Sequence, residues 1–318
     1  MATIAGTARD GSGVLQRLRS SFDIRYYAAV TVIATYGLIV LGGTVRATDS
    51  GEACPDWPLC HGQVIPPADM NVWIEFSHRM AASVVGFMIF GLIYAVWRTR
   101  RADRPMWYAA IFLGLTLALQ VIVGGITVGT DTAAGVVAIH LTIALTLISA
   151  LIFITVRLFR DEPRPFSRVE WLPALALAGV FALVITGVFV SQRHAGLAYP
   201  DWPLFDGKLT PTDSEAGQLH YGHRVVAGLV GLVLLAAIVQ GLRVSRSLVV
   251  VWGLTVAGVL FVVQALLGAA NVWLDLATSV RILHLALASA VWAVLVFTML
   301  WAYQNGLQLT TRSTKGTS

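Results

Sequence analysis

Four histidines dominate the chemistry open to this chain: His78, His140, His223 and His284, in a sequence of 318 residues with 7 histidines in all. They form two matched pairs. His78 and His223 are each followed by an arginine, Arg79 and Arg224, and stand 145 residues apart; His140 and His284 each follow a glutamine, Gln120 and Gln264, and stand 144 apart. The motif Pro-Asp-Trp-Pro-Leu at 55–59 returns at 200–204 with the same shift of 145. The chain is therefore a duplication. A lone interfacial histidine needs only a hydrogen-bonding neighbour. Four at two matched positions in an apolar chain instead fit axial ligation of haem iron, two imidazoles to each iron.

Long apolar helices must carry these ligands. Hydrophobic residues make up 57% of the chain and charged residues 12%, with a mean hydropathy of +0.74, which excludes a soluble globular domain. Apolar runs near 28–45, 80–97, 106–128, 133–158, 171–190, 225–242, 248–272 and 282–303 each approach the roughly 20 residues needed to cross a bilayer. The expected fold is an all-α integral membrane protein of eight transmembrane helices, built as two tandem four-helix bundles related by a pseudo-twofold axis along the membrane normal. Residues 1–27 read as an N-terminal tail, 28–158 and 171–303 as the two bundles, 159–170 as the linker and 304–318 as a C-terminal tail.

Charge sets the expected orientation. Arg9, Arg17, Arg19, Arg25, Arg98, Arg100, Arg101, Arg104, Arg157, Arg160, Arg164, Arg168, Arg243 and Arg246 fall on one side of the spans, whereas Asp49, Glu52, Asp56, Asp69, Asp201, Asp206, Asp213 and Glu215 fall on the other. Positive loops remain inside, so both termini are expected in the cytoplasm of a plasma-membrane protein, and the net charge of +5 needs no nucleic-acid partner. Residues 1–24 have no apolar core of the kind a cleaved signal peptide requires. Even-numbered spans then run from outside to inside, and all four histidines lie near their starts, in the outer leaflet. The outward loops at about 47–74 and 191–219 read as folded caps. Their Trp57-Pro58 and Trp202-Pro203 pairs also suit a headgroup-depth indole.

The halves differ where chemistry would be expected. A shift of 145 carries Glu75 onto His220, Cys54 onto Tyr199 and Cys60 onto Phe205, so the first half alone has the carboxylate and both cysteines. Glu75 stands three residues before His78 and shares its helical face, where it could move protons or stabilise a cation; a helix-start carboxylate facing the dipole is the plainer role. Arg79 and Arg224 could pair with haem propionates or snorkel to lipid headgroups. Cys54 and Cys60 lie in an outward loop that permits a disulfide. A structural staple and a reducible, exposed redox pair are both open.

These residues resemble one family, the haem A synthases. The resemblance rests on Gly42-Gly43-Thr44-Val45-Arg46, Cys54-Pro55-Asp56-Trp57-Pro58-Leu59-Cys60, Glu75-Phe76-Ser77-His78-Arg79, His140-Leu141, His220-Tyr221-Gly222-His223-Arg224 and His284-Leu285, and spans about 28–303. It implies an enzyme that oxidises a ring methyl group of haem O to the formyl group of haem A by successive hydroxylations, with the formyl oxygen taken from water. It implies that His78 and His140 hold substrate haem O, that His223 and His284 hold a haem b cofactor, and that Glu75 is the catalytic carboxylate. It also implies that the Cys54–Cys60 disulfide matters for activity. Some bacterial members have a second cysteine pair in the other half; this chain has none. Membrane lipid, haem O synthase (the protohaem farnesyltransferase) and an electron acceptor of unknown identity complete the implied partners.

Two other classes compete. A di-haem b-type electron carrier exchanging electrons with quinol would use the same four histidines, but has no need of a carboxylate and cysteines in one half only. A haem transporter built on parallel repeats would need a path through both leaflets, yet the inner halves of the spans hold no deep ionisable residue.

Overall fold

The computed structural model describes residues 23–130, 132–160, 171–245 and 247–305. Most of both expected tails and residues 161–170 of the expected linker lie outside them, as do Arg9, Arg17, Arg19, Arg164, Arg168 and Arg246. Eight long helices follow in order: α1 Ile24–Ala47, α2 Met70–Arg100, α3 Arg104–Gly129, α4 Ala134–Leu158, α5 Trp171–Gln192, α6 Glu215–Val244, α7 Leu248–Trp273 and α8 Thr278–Asn305. All eight are long and apolar enough to span a membrane. The chain is an all-helical, multi-pass membrane protein.

The first four helices close a ring, α1 on α2, α2 on α3, α3 on α4 and α4 back on α1; α5 to α8 close a second in the same order. The rings meet through α4 on α8, α1 on α8 and α4 on α5, a pattern unchanged when the halves are exchanged. Each ring has its own apolar core, around Ile89, Leu113 and Leu151 in the first and Leu234, Leu254 and Leu295 in the second. A third cluster, with Ile39, Ile148, Ile152 and Val296, fills the seam. Polar ties cross it too. The Tyr36 hydroxyl donates to the Ala286 carbonyl at 3.0 Å, Trp292 Nε1 donates to Ser149 Oγ at 3.0 Å, and Arg281 Nη1 donates to the Ala47 carbonyl at 3.1 Å. Gly43 permits the close approach of α1 to α8, since a Cβ there would overlap Leu285 Cδ2.

At the arginine-rich end, Asp103 accepts from the Met106 N–H to cap α3 and takes a two-pronged ion pair from Arg157 on α4, with Nε at 2.6 Å and Nη2 at 2.8 Å. At the other end, α2 and α6 begin about ten residues before their apolar runs. Asp69 accepts from the Asn71 and Val72 N–H groups, and Ser214, its counterpart at a shift of 145, accepts from Gly217. These caps let stretches with mixed polar and apolar residues start a helix. The intervening loops, 48–69 and 193–214, are correspondingly shorter than hydropathy suggests.

Candidate functional site

Each loop is built by its Pro-Asp-Trp-Pro-Leu motif. His61 and Gly62 both have positive φ, as do Asp206 and Gly207, which makes a tight mirror-image turn closed by the Cys60–Gln63 and Phe205–Lys208 pairings. The motif aspartate anchors that turn. Asp56 accepts from the main-chain N–H of His61 (2.5 Å) and Gly62 (2.8 Å), and Asp201 accepts from Asp206 (2.8 Å) and Gly207 (2.9 Å). Both loop carboxyls are held below the ordinary aspartate value of 3.8, first by the glycine N–H and then by the other main-chain donor.

The arginine after each first histidine clamps the loop. Arg79 Nη1 donates to the carbonyls of Asp56 and Leu59, both at 2.6 Å, and Nη2 donates to the Cys54 carbonyl at 3.0 Å. Arg224 Nη1 donates to Asp201 and Leu204, at 2.9 and 2.8 Å. The repeated motif and the repeated arginine are thus one structural unit. Arg79 has only Nε left for the propionate contact expected of it, whereas Arg224 Nη2 is buried with no partner.

Within this shared frame the halves diverge. Glu75, 4% exposed, pairs with Arg79 Nη2 through Oε1 and accepts the Cys54 N–H at 2.8 Å through Oε2. Cys54 and Cys60 are disulfide-bonded and wholly buried against Val72. An exposed, readily reducible pair was one sequence expectation; the loop shields the sulfurs, and the staple is the role this burial favours. In the second half, Arg224 Nε donates to His220 Nε2 at 3.0 Å in place of the Glu75–Arg79 pair. Where the disulfide stands, Tyr199 and Phe205 meet edge to face with ring centroids 5.1 Å apart.

His78 and His223 each lie eight residues into α2 and α6, and His140 and His284 six residues into α4 and α8. At 1.5 Å per residue these are depths of about 12 and 9 Å from the helix starts, so all four imidazoles occupy one end of the protein. A glycine on the preceding helix backs every ring. A Cβ at Gly42 would meet His78 Cε1 at 3.0 Å, at Gly124 His140 Cε1 at 3.2 Å, at Gly187 His223 Cε1 at 3.2 Å, and at Gly268 His284 Cε1 at 3.3 Å. Gly42 and Gly187 are 145 apart, and Gly124 and Gly268 are 144 apart. The backing belongs to the duplication.

Buried polar atoms without partners gather here: Nδ1 of His78, His140 and His284, and Oε1 of Gln120 and Gln264. His78, His140 and His284 are only half-buried as whole residues, so their exposed atoms are others than Nδ1. Gln120 Nε2 lies 3.2 Å from His140 Nε2 and donates to the lone pair that iron would take. No group of three or more His, Cys, Asp or Glu converges to hold a bare ion among the described residues. Paired imidazoles, set in glycine-lined slots, instead match a metal that brings its own equatorial ligands, and haem fits these residues.

Comparison with known proteins decides the family. The model of the COX15-CtaA family, described as cytochrome oxidase assembly protein, matches residues 25–296. The chain belongs to the COX15-CtaA family. Proteins named heme A synthase are similar along nearly their whole length. That of Alkalihalophilus pseudofirmus is 28% identical over 289 residues, covering 86% of this chain and 95% of the relative. One from Bacillus cereus is 27% identical over 308 residues (92% and 99%), and that of Geobacillus thermodenitrificans 28% over 294 (89% and 92%).

For this COX15-CtaA member, the structure gathers His78, Glu75, Arg79 and the Cys54–Cys60 loop at the head of α2, with His140 across the bundle. It places His223, Arg224 and His284 alike in the second half. Sequence reasoning missed Gly42, Gly124, Gly187 and Gly268 as ring supports, although their shifts of 145 and 144 carry the signal. It also missed that the aspartates and arginines of the repeats bind loop main chain.

Proposed function

We propose that this protein is a haem A synthase, acting on haem O held between His78 and His140 in the first bundle, with haem b held between His223 and His284 in the second. The observation that carries this reading is the asymmetry within a duplicated frame: matched imidazoles in both bundles, but a buried carboxylate beside only one pair. The names borne by the similar proteins agree with it. A di-haem electron carrier would leave that asymmetry without purpose.

Haem b, when bound, supplies a redox centre through which electrons leave the substrate side. The protein's own residues do the rest. His78 and His140 fix the orientation of haem O, so that one ring methyl is held in a constant place relative to α2. Each hydroxylation takes two electrons and one proton from that carbon and bonds it to the hydroxyl of one water, whose other proton is released, so that two electrons and two protons leave in all; loss of water from the geminal diol formed by the second hydroxylation gives the formyl group. Positive charge develops on the carbon as electrons leave. The Glu75 carboxylate, paired with Arg79 and oriented by the Cys54 N–H, stabilises that charge or directs water toward it. In the second half His220 occupies this place, and no such stabilisation is available.

By the positive-inside rule the arginine-rich helix ends face the cytoplasm, and in this reading the haem sites lie toward the outer leaflet of the plasma membrane with both termini inside. Haem O synthase supplies the substrate, and an electron acceptor removes the electrons. The reading is tested by extracting haems from membranes of cells that make haem O, with and without this protein. Haem A should appear only with it. Unchanged haem O together with protein-bound haem b would contradict the proposal and favour the carrier.

A further inference from the structure

His223 has a partner that His78 lacks. Thr186 Oγ1 on α5 lies 3.0 Å from His223 Nδ1, and the same hydroxyl donates its one proton to the Leu183 carbonyl at 3.0 Å. With that proton committed, the oxygen faces the ring as an acceptor only. The pairing that satisfies both contacts has His223 Nδ1–H donating to Thr186, which leaves the Nε2 lone pair free for iron. A shift of 145 carries Thr186 onto Leu41, which has no hydroxyl, and His78 Nδ1 is buried with no partner.

We infer that Thr186 is a positioning residue that fixes the tautomer and raises the donor strength of His223, so that the second bundle retains its haem while the first, with Leu41, releases its haem as product. The inference rests on the haem assignment above and deepens it. A hydrogen bond accepted from Nδ1–H makes the imidazole a stronger donor and holds its ring plane. A stronger donor favours the ferric over the ferrous ion and lowers the reduction potential. The cofactor site gains retention; the substrate site, which must exchange one haem for the next, does without it.

The test uses the purified full-length protein carrying its haems, with Thr186→Val, Thr186→Ser and Leu41→Thr. Thr186→Val keeps the shape but loses the acceptor. The midpoint potential of the haem b signal should rise, its g-value spread should change, and haem b should pass to excess apomyoglobin about tenfold faster or more. Thr186→Ser should restore wild-type behaviour, which a purely steric role would not. Leu41→Thr should slow release from the first bundle. A Thr186→Val protein with haem b at the wild-type potential and release rate overturns the inference. A wild-type haem b signal that survives His223→Ala overturns the site assignment instead, and the two failures are told apart by that variant.

Discussion

The main-chain N–H of Cys54 donates to Glu75 Oε2 at 2.8 Å, so the first residue of the disulfide is tied to the helix that carries His78. The same carboxylate pairs with Arg79, and Arg79 in turn holds the Cys54 carbonyl. Glu75 is thus both the candidate catalytic group and part of the clamp on the outer loop.

Replacing it separates the two roles. Glu75→Gln keeps an oxygen for the Cys54 N–H but loses the ion pair. Breaking a buried pair typically costs about 3–5 kcal/mol, and the lower end is expected because Arg79 retains three carbonyl acceptors. The variant should fold, bind haem O and accumulate it, with haem A formation falling about a hundredfold or more. Haem chromatography of the membranes checks this. Normal haem A formation would remove Glu75 from the chemistry, and loss of substrate haem would make it a structural residue.

The glycine slots predict effects confined to one bundle. Gly42→Ala sets a methyl 3.0 Å from His78 Cε1, and Gly187→Ala sets one 3.2 Å from His223 Cε1. Overpacking of this kind costs about 1–3 kcal/mol or turns the ring. Paramagnetic resonance of each purified variant should show the low-spin haem signal of that bundle altered and the other intact. An equal effect on both signals from either substitution would mean that the glycines serve general helix packing.

The burial of Cys54 and Cys60 predicts that the disulfide resists reductant in the folded protein. Peptides from unreduced protein should contain the cross-link by mass spectrometry, and alkylation after mild reductant should be slow until the protein is denatured. Closing so short a loop contributes about 2 kcal/mol, so Cys54→Ser with Cys60→Ser should loosen the outer loop more than the bundle. Rapid alkylation of the native protein would revive the relay role.

Eight spans and a matched set of four candidate ligands were legible in the sequence because apolar length and a fixed repeat shift survive without knowledge of contacts. The heads of α2 and α6 were not. Residues 70–79 are mostly outside the apolar run, and they form a helix because Asp69 caps it and Arg79 pins the loop above. Gly42 and Gly187 look like ordinary small residues of packed membrane helices until the rings beside them are seen. Exchange of the Cys54–Cys60 link for the Tyr199–Phe205 contact was visible as an alignment, but not as one site closed by two chemistries.

Acid should loosen the two caps together. The carboxyls of Asp56 and Asp201 lie below their ordinary value in the folded loops, so their contribution is present above the unfolded value of about 3.8 and is lost as pH falls through the lower folded value. Limited proteolysis of the loops should therefore stay constant from neutral pH down to about 4 and rise only in stronger acid. In Asp56→Asn the first cap should lose this dependence while the second keeps it. Cleavage that rises near pH 6 would point to another group.

The central claim, one substrate haem and one cofactor haem in two matched bundles, is tested most directly by a haem inventory of four single variants, His78→Ala, His140→Ala, His223→Ala and His284→Ala, purified from cells that make haem O. The first two should lose haem O and haem A and keep haem b. The last two should lose haem b and form no haem A, with haem O still bound. The same loss in all four, or retention of haem b in both His223→Ala and His284→Ala, would contradict the account.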